Sequence, residues 1–139
     1  MRCKYIVILL LMLYSACTLD RSNPLDPKAN PNIKVPATVT NLELRSANYN
    51  VFAEWRRVDG VGSYYLYRCQ THNGVYERIA IIEQPENLWE PVEYHDQWNL
   101  LPGNWYFYRV SAVSEIPEGL REGLEGRMSD INYVIIAGD

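Results

Sequence analysis

Histidine and cysteine, two frequent sources of reactive chemistry in proteins, are scarce in this sequence of 139 residues. It contains two histidines, His72 and His95, and three cysteines, Cys3, Cys17 and Cys69. A zinc site needs three or four convergent ligands, and none of these residues has metal-ligand spacing. We therefore expect no metal and no cofactor. Cys3 and Cys17 are assigned to N-terminal processing below, which leaves Cys69 without a second thiol to pair with. A packed core rather than disulfides must therefore stabilise the fold.

Basic residues are also too few for a nucleic-acid-binding protein. The chain has 13 Lys and Arg against 17 Asp and Glu, a formal net charge of −4. Phosphate contacts dominate affinity for nucleic acid and require a basic stripe or patch, which this sequence lacks. We therefore expect no nucleic-acid partner.

No catalytic pattern is recognisable in the sequence. Nucleophilic catalysis needs a Ser, Cys or Thr beside a base that a third group positions, and Ser111 and Ser114 have no histidine near them in sequence. The carboxylates between Glu83 and Glu93 lie among prolines, which favours a solvated loop over a pair of catalytic acids. The sequence predicts a protein that is not an enzyme. A concave cluster of His95 with two carboxylates would favour the opposite interpretation.

A hydrophobic run long enough to cross a membrane is missing as well. Arg2 and Lys4 precede an apolar run from Tyr5 to Leu13, whereas a transmembrane helix needs about 20 apolar residues. A short basic segment, a short apolar run and small residues in this order are typical of a secretory signal peptide. We assign residues 1–16 to this leader.

The residues Ser15-Ala16-Cys17 resemble the bacterial lipobox, in which the cysteine receives diacylglycerol and becomes the mature N-terminus. Tyr14 stands where the lipobox prefers leucine. The resemblance implies lipid attachment at Cys17 and a lipid-anchored location at the cell envelope. Because Thr18 replaces the Asp that retains such proteins on the inner membrane, it implies the outer membrane in a Gram-negative host. The alternative is an ordinary secretory signal that leaves Cys17 as a plain thiol.

Residues 17–36 differ in composition from the rest of the chain. They contain Pro24, Pro27, Pro31 and Pro36 and little apolar periodicity. Proline-rich segments favour extended conformations, so we predict an extended linker that carries the lipidated cysteine at its start.

Residues 37–139 have the alternating apolar pattern of β-strands, and no window of ten residues has convincing helical periodicity. Residues 71–74 predict a tight hairpin turn in which Asn73 and Gly74 take positive φ angles. Seven strands are predicted, at 38–42, 50–55, 63–69, 75–82, 92–96, 105–113 and 131–136. The side chains predicted to face the core are Val51, Ala53, Trp55, Tyr64, Leu66, Tyr106, Tyr108, Val110 and Ala112.

Residues 100–113, LLPGNWYFYRVSAV, resemble the fibronectin type III pattern Leu-x-Pro-Gly-Thr-x-Tyr followed by alternating apolar residues. Trp55, residues 64–68 and Ser129 fit the same pattern. The resemblance implies an all-β, seven-stranded, immunoglobulin-like sandwich. In such a sandwich a large aromatic side chain, here Trp55, lies between the sheets, and a corner tyrosine, here Tyr106, hydrogen-bonds back to the backbone.

The aromatic content, 11 Tyr and 4 Trp, exceeds what such a core requires. The outward positions of the third and sixth strands would form one aromatic surface, and a second group would lie at the end of the sandwich away from the linker. Aromatic residues and Arg are enriched at binding hot spots, although aromatic pairs also stabilise sheets structurally. The candidate binding residues are Tyr65, Tyr67, Phe107 and Arg109 on the surface, and Trp98 and Trp105 at the end.

These features together predict a lipid-anchored, non-catalytic binding, adhesion or scaffold module of the cell envelope. Its expected partners are the membrane, through the lipid, and an envelope protein or polysaccharide. The main alternative is a structural spacer or subunit of an envelope complex. A carbohydrate-binding accessory protein and an enzyme are the less favoured alternatives.

Overall fold

The computed structural model describes residue 23, residues 25–87 and residues 89–137. The leader and Cys17 lie outside these residues. Within them, no segment forms a helix with the length and apolar character needed to cross a membrane.

The described residues form seven strands in two antiparallel sheets, and the prediction of an all-β sandwich is confirmed. One sheet has three strands in the order β1-β2-β5, and the other has four in the order β4-β3-β6-β7. The strands are β1 (Glu43–Ala47), β2 (Asn50–Trp55), β3 (Val61–Cys69), β4 (Glu77–Glu83), β5 (Val92–Asp96), β6 (Trp105–Ser114) and β7 (Asn132–Ile135).

The core follows the period-2 alternation of the sequence, because successive side chains of a strand point to opposite faces of the sheet. All nine side chains predicted to face inward are buried, with exposures of 1% or less. Trp55 of one sheet packs edge-on against Tyr64 of the other, with ring centroids 5.6 Å apart. These two rings join the two sheets within the core.

Tyr106 forms the corner that the sequence predicts at the start of β6. Its hydroxyl accepts a hydrogen bond from the backbone N–H of Leu101 at 3.0 Å and donates one to the carbonyl of Asn99 at 3.2 Å. Both partners lie in the connection before β6. The hydroxyl therefore fixes the path by which the chain passes from one sheet to the other.

The predicted first strand is misplaced by five residues. Residues 38–42 bury Val39, but Asn41 has a φ of 58°, which interrupts the extended backbone, and the ladder begins at Glu43. The turn that follows uses positive φ at Asn48 and Tyr49. Tyrosine is unusual at such a position, so local residue types do not indicate this hairpin.

The hairpin between β3 and β4 forms where it was predicted, but with a different geometry. Asn73 and Gly74 do not take positive φ angles. Instead, the N–H of Gly74 donates to the carbonyl of Thr71 at 3.2 Å. A Cβ at Gly74 would lie 2.5 Å from Sγ of Cys69, so glycine is needed for close approach rather than for backbone freedom.

The described part of the linker is folded against the domain. Backbone hydrogen bonds from Ala29 and Asn30 to the carbonyl of Asp26 close successive turns. Ile33 and Pro36 are buried. The prediction of an extended linker is therefore wrong for residues 25–33. Turn formation by Asp and Asn side chains and burial of these two residues outweigh the preference of proline for extended chain.

Candidate functional site

The outward side of the four-stranded sheet collects most of the candidate binding residues. Tyr65 and Tyr67 of β3 lie beside Phe107 and Arg109 of β6, because the register pairs Tyr67 with Arg109 and Cys69 with Phe107. We call this surface the aromatic face. It consists of the outward side chains Tyr65, Tyr67, Trp105, Phe107, Arg109 and Tyr133, with His72 at its margin.

Four rings form a continuous row across this face. Trp105 contacts Tyr133 at a centroid distance of 5.5 Å, and Tyr133 contacts Phe107 at 5.9 Å. Phe107 in turn meets the ring of His72 at 5.7 Å. The row links β7, β6 and the β3–β4 hairpin, so three separate segments of chain contribute to one surface.

The members of the row differ in exposure. Tyr133 is 56% exposed and Trp105 is 49% exposed, whereas Phe107 is half-buried. A half-buried ring stabilises the sheet through its neighbours. Trp105 and Tyr133 present the larger apolar area to solvent, and are thus the better placed to contact a partner.

Tyr67 has a structural contact that the sequence did not indicate. Its hydroxyl donates to Oε1 of Glu125 at 2.7 Å, and the hydroxyl of Ser111 donates to the same oxygen. Glu125 belongs to the long β6–β7 connection, 58 positions further along the chain. Tyr67 therefore fastens this connection to the sheet.

The arginines of the surface are also engaged with the protein. The guanidinium of Arg78 lies 4.3 Å from the centre of the Tyr65 ring. Nε of Arg109 donates to the carbonyl of Ser129 at 2.9 Å, and its guanidinium lies 5.9 Å from the ring of Tyr76. These cation–π contacts and hydrogen bonds hold the edges of the face in place.

Trp98 and Trp105, which the sequence places together at the end of the sandwich, make different contacts. Trp105 belongs to the aromatic face through Tyr133. Trp98 is 68% exposed in the β5–β6 connection. Its carbonyl accepts a hydrogen bond from Arg68 at 2.8 Å, and its N–H donates to Asp96 at 3.3 Å, so its backbone is fixed while its ring faces solvent.

A concave region lies on the outer side of the three-stranded sheet. It is an open depression of about 530 Å³. Glu54 pairs with Glu43 on one neighbouring strand and with Glu93 on the other, which sets three carboxylates in a row. In the adjacent row, His95 stacks on Phe52 at 4.4 Å. This depression therefore combines His95 with carboxylates, which is the cluster that would favour an enzyme.

Its geometry gives little support to catalysis. The three glutamates and His95 are exposed, whereas the acids and bases of active sites are retuned by burial and by close charged partners. The His95 ring stacks flat on Phe52, with 14° between the ring planes. In the part of the chain that the structure describes, no group of three His, Cys, Asp or Glu side chains is arranged to hold a metal ion.

The fold is expected to lose stability at alkaline pH. Burial, and then the hydrogen bond to Glu125, raises the pKa of Tyr67 to about 12 from 10.0. Burial and the Asp96 carboxylate also raise the pKa of Tyr108. Because folding raises both pKa values, these groups contribute fully below pH 10, and their contribution is lost as the pH rises toward and through the folded values.

Urea unfolding between about pH 9 and 12 tests this expectation. Tyr67→Phe should show a smaller fall in unfolding free energy than the native chain over this range. An identical fall in the variant would show that Tyr67 is not responsible.

Tyr133, His72 and Glu125 are members or neighbours of the face that the sequence did not single out. Tyr133 could have been found, since it alternates with Ile135 in the predicted last strand. The contacts of His72 and Glu125 depend on where their connections fold back, which no local pattern records.

Comparison with solved structures identifies the fold. A crystal structure of a Fn3-like protein from Clostridium thermocellum is 24% identical with a TM-score of 0.59, covering 76% of this chain and 97% of that one. The FN5 domain of Drosophila Lar is 18% identical with a TM-score of 0.51, covering 76% of this chain and all of that one.

Curated relatives match only part of the sequence, and no protein-family model matches it. The amylopullulanase of Thermoanaerobacterium thermosulfurigenes is 29% identical over 85 residues, 61% of this chain. That of Thermoanaerobacter thermohydrosulfuricus is 34% identical over 82 residues, or 59%. The chain spans only 4% and 5% of the lengths of these two proteins. The strand order, the corner tyrosine and the structural neighbours together show that this chain has a fibronectin type III-like fold.

Proposed function

We propose that this chain is a lipid-anchored, non-catalytic binding module of the cell envelope, and that the aromatic face is its contact surface. The observation that carries the proposal is the row from Trp105 through Tyr133 and Phe107 to His72. Trp105 and Tyr133, each about half exposed, are in edge contact with one another on this sheet.

Such a surface has the chemistry of a binding hot spot. Trp, Tyr and Arg are the residues most enriched at hot spots, and all three types are present on the aromatic face. Tyr and Trp add large contact areas at a low cost in side-chain entropy. Because the sheet and its bonds to the β6–β7 connection already fix these rings, little ordering is needed when a partner binds.

The anchor is proposed from the sequence. Ser15-Ala16-Cys17 matches the lipobox pattern, and the described linker residues lead into the domain at one end of the sandwich. A diacylglycerol on Cys17 would hold the domain at the membrane stably, because two acyl chains suffice. The outer membrane is the expected location in a Gram-negative host. Mass spectrometry of Cys17 tests this part.

The partner is an envelope protein or a polysaccharide. The chain is similar to a segment that makes up 4% to 6% of proteins named amylopullulanase. This similarity favours the polysaccharide, because an accessory module of such a protein would bind one. Tyr and Trp combine an apolar ring with a polar tip, which suits the mixed apolar and hydroxylated faces of a sugar.

Titration of tryptophan emission with pullulan and other soluble polysaccharides tests this choice. We expect a saturable change in the native chain that is reduced at least about tenfold in affinity in Tyr133→Ala, a loss of about 1.4 kcal/mol. Phe52→Ala is the matched control, since Phe52 is an aromatic residue on the outer side of the other sheet. An unchanged spectrum with every polysaccharide would exclude a sugar ligand and leave a protein partner.

A structural role is the second candidate. Tyr67, Arg78 and Arg109 are all used in contacts within the domain, as expected if the face only stabilises the sheet. A spacer or subunit of an envelope complex would co-purify with its complex after detergent extraction, and would do so equally well in Tyr133→Ala.

A further inference from the structure

The end of the sandwich where the linker enters carries three exposed apolar side chains. Trp89 is 92% exposed, and Val35 and Ile116 are each 59% exposed. Single exposed apolar residues are common in proteins. Here each belongs to a different segment, namely the linker, the β4–β5 connection or the β6–β7 connection. We call this end the linker pole.

The three segments are joined to one another around residues 57–62. Linker residues Asn30 to Lys34 border a depression together with Gly60 and the residues around Ile116. On the other side, the guanidinium of Arg57 donates to the carbonyl of Pro85 at 3.4 Å. The linker, the β4–β5 connection and the β6–β7 connection therefore meet at the same end of the domain.

A small hydrogen-bonded turn presents Trp89. Its N–H donates to Oδ1 of Asn87 at 3.1 Å, and Nδ2 of Asn87 donates to Glu90 at 2.9 Å. The N–H of Glu90 also donates to the carbonyl of Asn87 at 3.3 Å. The N–H groups of Trp89 and Glu90 are thus both bonded to Asn87, while the Trp89 side chain is exposed to solvent.

The folded linker shortens the tether between this pole and Cys17. Because residues 25–33 form turns, the last of which lie beside the domain, only the segment from Cys17 to Asn23 remains to span the distance. Its six Cα–Cα steps reach at most about 22 Å. A lipid on Cys17 would therefore hold the linker pole close to the headgroups of the bilayer.

We propose that the linker pole contacts the surface of the membrane, with Trp89 inserted at the interface and Ile116 and Val35 beside it. This inference rests on the lipid anchor of the proposed function. Trp is enriched where membranes meet water, because its ring is apolar and its N–H is polar. The tether raises the effective concentration of the pole at the surface, so weak contacts suffice.

The charges near these side chains define the type of lipid surface. Glu86 and Glu90 flank Trp89, and Glu115 and Glu118 flank Ile116, so these four carboxylates outnumber Lys34 beside Val35. An anionic bilayer repels such a surface, because its own potential is negative. The pole therefore fits a zwitterionic surface better than an anionic one.

Quenching of tryptophan emission by brominated phosphatidylcholine tests the proposal on the full lipidated chain in vesicles. We expect quenching in the native chain that falls by more than half in Trp89→Ala. Trp98→Ala is the matched control, because Trp98 is 68% exposed at the opposite end, and this variant should keep the quenching of Trp89 by the lipid. Adding phosphatidylglycerol at low salt should reduce quenching.

Equal quenching in native and Trp89→Ala chains, or its absence, would overturn the proposed contact. Mass spectrometry of Cys17 on the same samples separates the two proposals. If Cys17 is acylated and Trp89 is not quenched, only the contact fails, and a protein that covers Trp89 becomes the alternative. If Cys17 carries no lipid, the anchor and the contact both fail.

Discussion

Replacing Asp96 with alanine should lower the free energy of unfolding by about 3–5 kcal/mol. Asp96 is 1% exposed, and its Oδ2 accepts hydrogen bonds from Arg68 at 2.7 Å and from Tyr108 at 2.8 Å. Alanine would leave the guanidinium of Arg68 partly buried without its counter-charge and the Tyr108 hydroxyl without its acceptor. Breaking one side of a buried ion pair is costly for this reason.

Thermal unfolding measures this effect, and for a domain of this size the melting temperature should fall by about 15 °C or more. Tyr108→Phe is the control, because it removes one donor and leaves the ion pair, with an expected loss of about 1–2 kcal/mol. The double variant Arg68→Met with Asp96→Leu should recover much of the loss. A loss below about 1 kcal/mol in Asp96→Ala would contradict this account of the ion pair.

Replacing Trp55 with alanine should be about equally damaging, at about 3–5 kcal/mol. Trp55 is 1% exposed and packs against Tyr64 between the sheets. Its removal would leave a cavity that the strands on either side can only partly close, and the cost of such a substitution grows with the cavity that remains.

Trp55→Phe separates packing from hydrogen bonding. Nε1 of Trp55 is buried and has no hydrogen-bond partner within the described residues, so phenylalanine removes ring volume but breaks no bond to the protein. We expect it to cost about half as much as alanine or less. Denaturant unfolding of both variants provides the measurement, and equal losses would contradict a packing role.

The sequence was sufficient for the fold because its alternation is clear in the central strands. β2 and β5 have the predicted bounds, and Trp55 and Tyr106 occupy the predicted places. The first strand was misplaced because Asn41 takes a positive φ angle, a conformation that asparagine tolerates but that its alternating neighbours do not indicate. The linker conformation was mispredicted because local composition does not record tertiary contacts such as those that bury Ile33.

The surface was less predictable than the core. Alternation alone placed Tyr65, Tyr67 and Phe107 outward, but it could not show that Tyr67 holds Glu125 or that Phe107 touches His72. Such contacts join residues that are far apart in sequence and depend on how the connections fold back.

The depression on the three-stranded sheet is another product of long-range pairing. Glu43, Glu54 and Glu93 become neighbours only through the register of three strands. Like charges placed opposite each other destabilise a sheet, so a single sequence gives little reason to expect this row.

Capture of partners from detergent-solubilised envelopes, compared between native and variant chains, tests the central claim most directly. The claim predicts that the double variant Trp105→Ala with Tyr133→Ala loses at least nine-tenths of the captured material while its melting temperature stays within a few degrees, and that Phe52→Ala captures as much as the native chain. Undiminished capture by the folded double variant would contradict the assignment of the aromatic face as the contact surface.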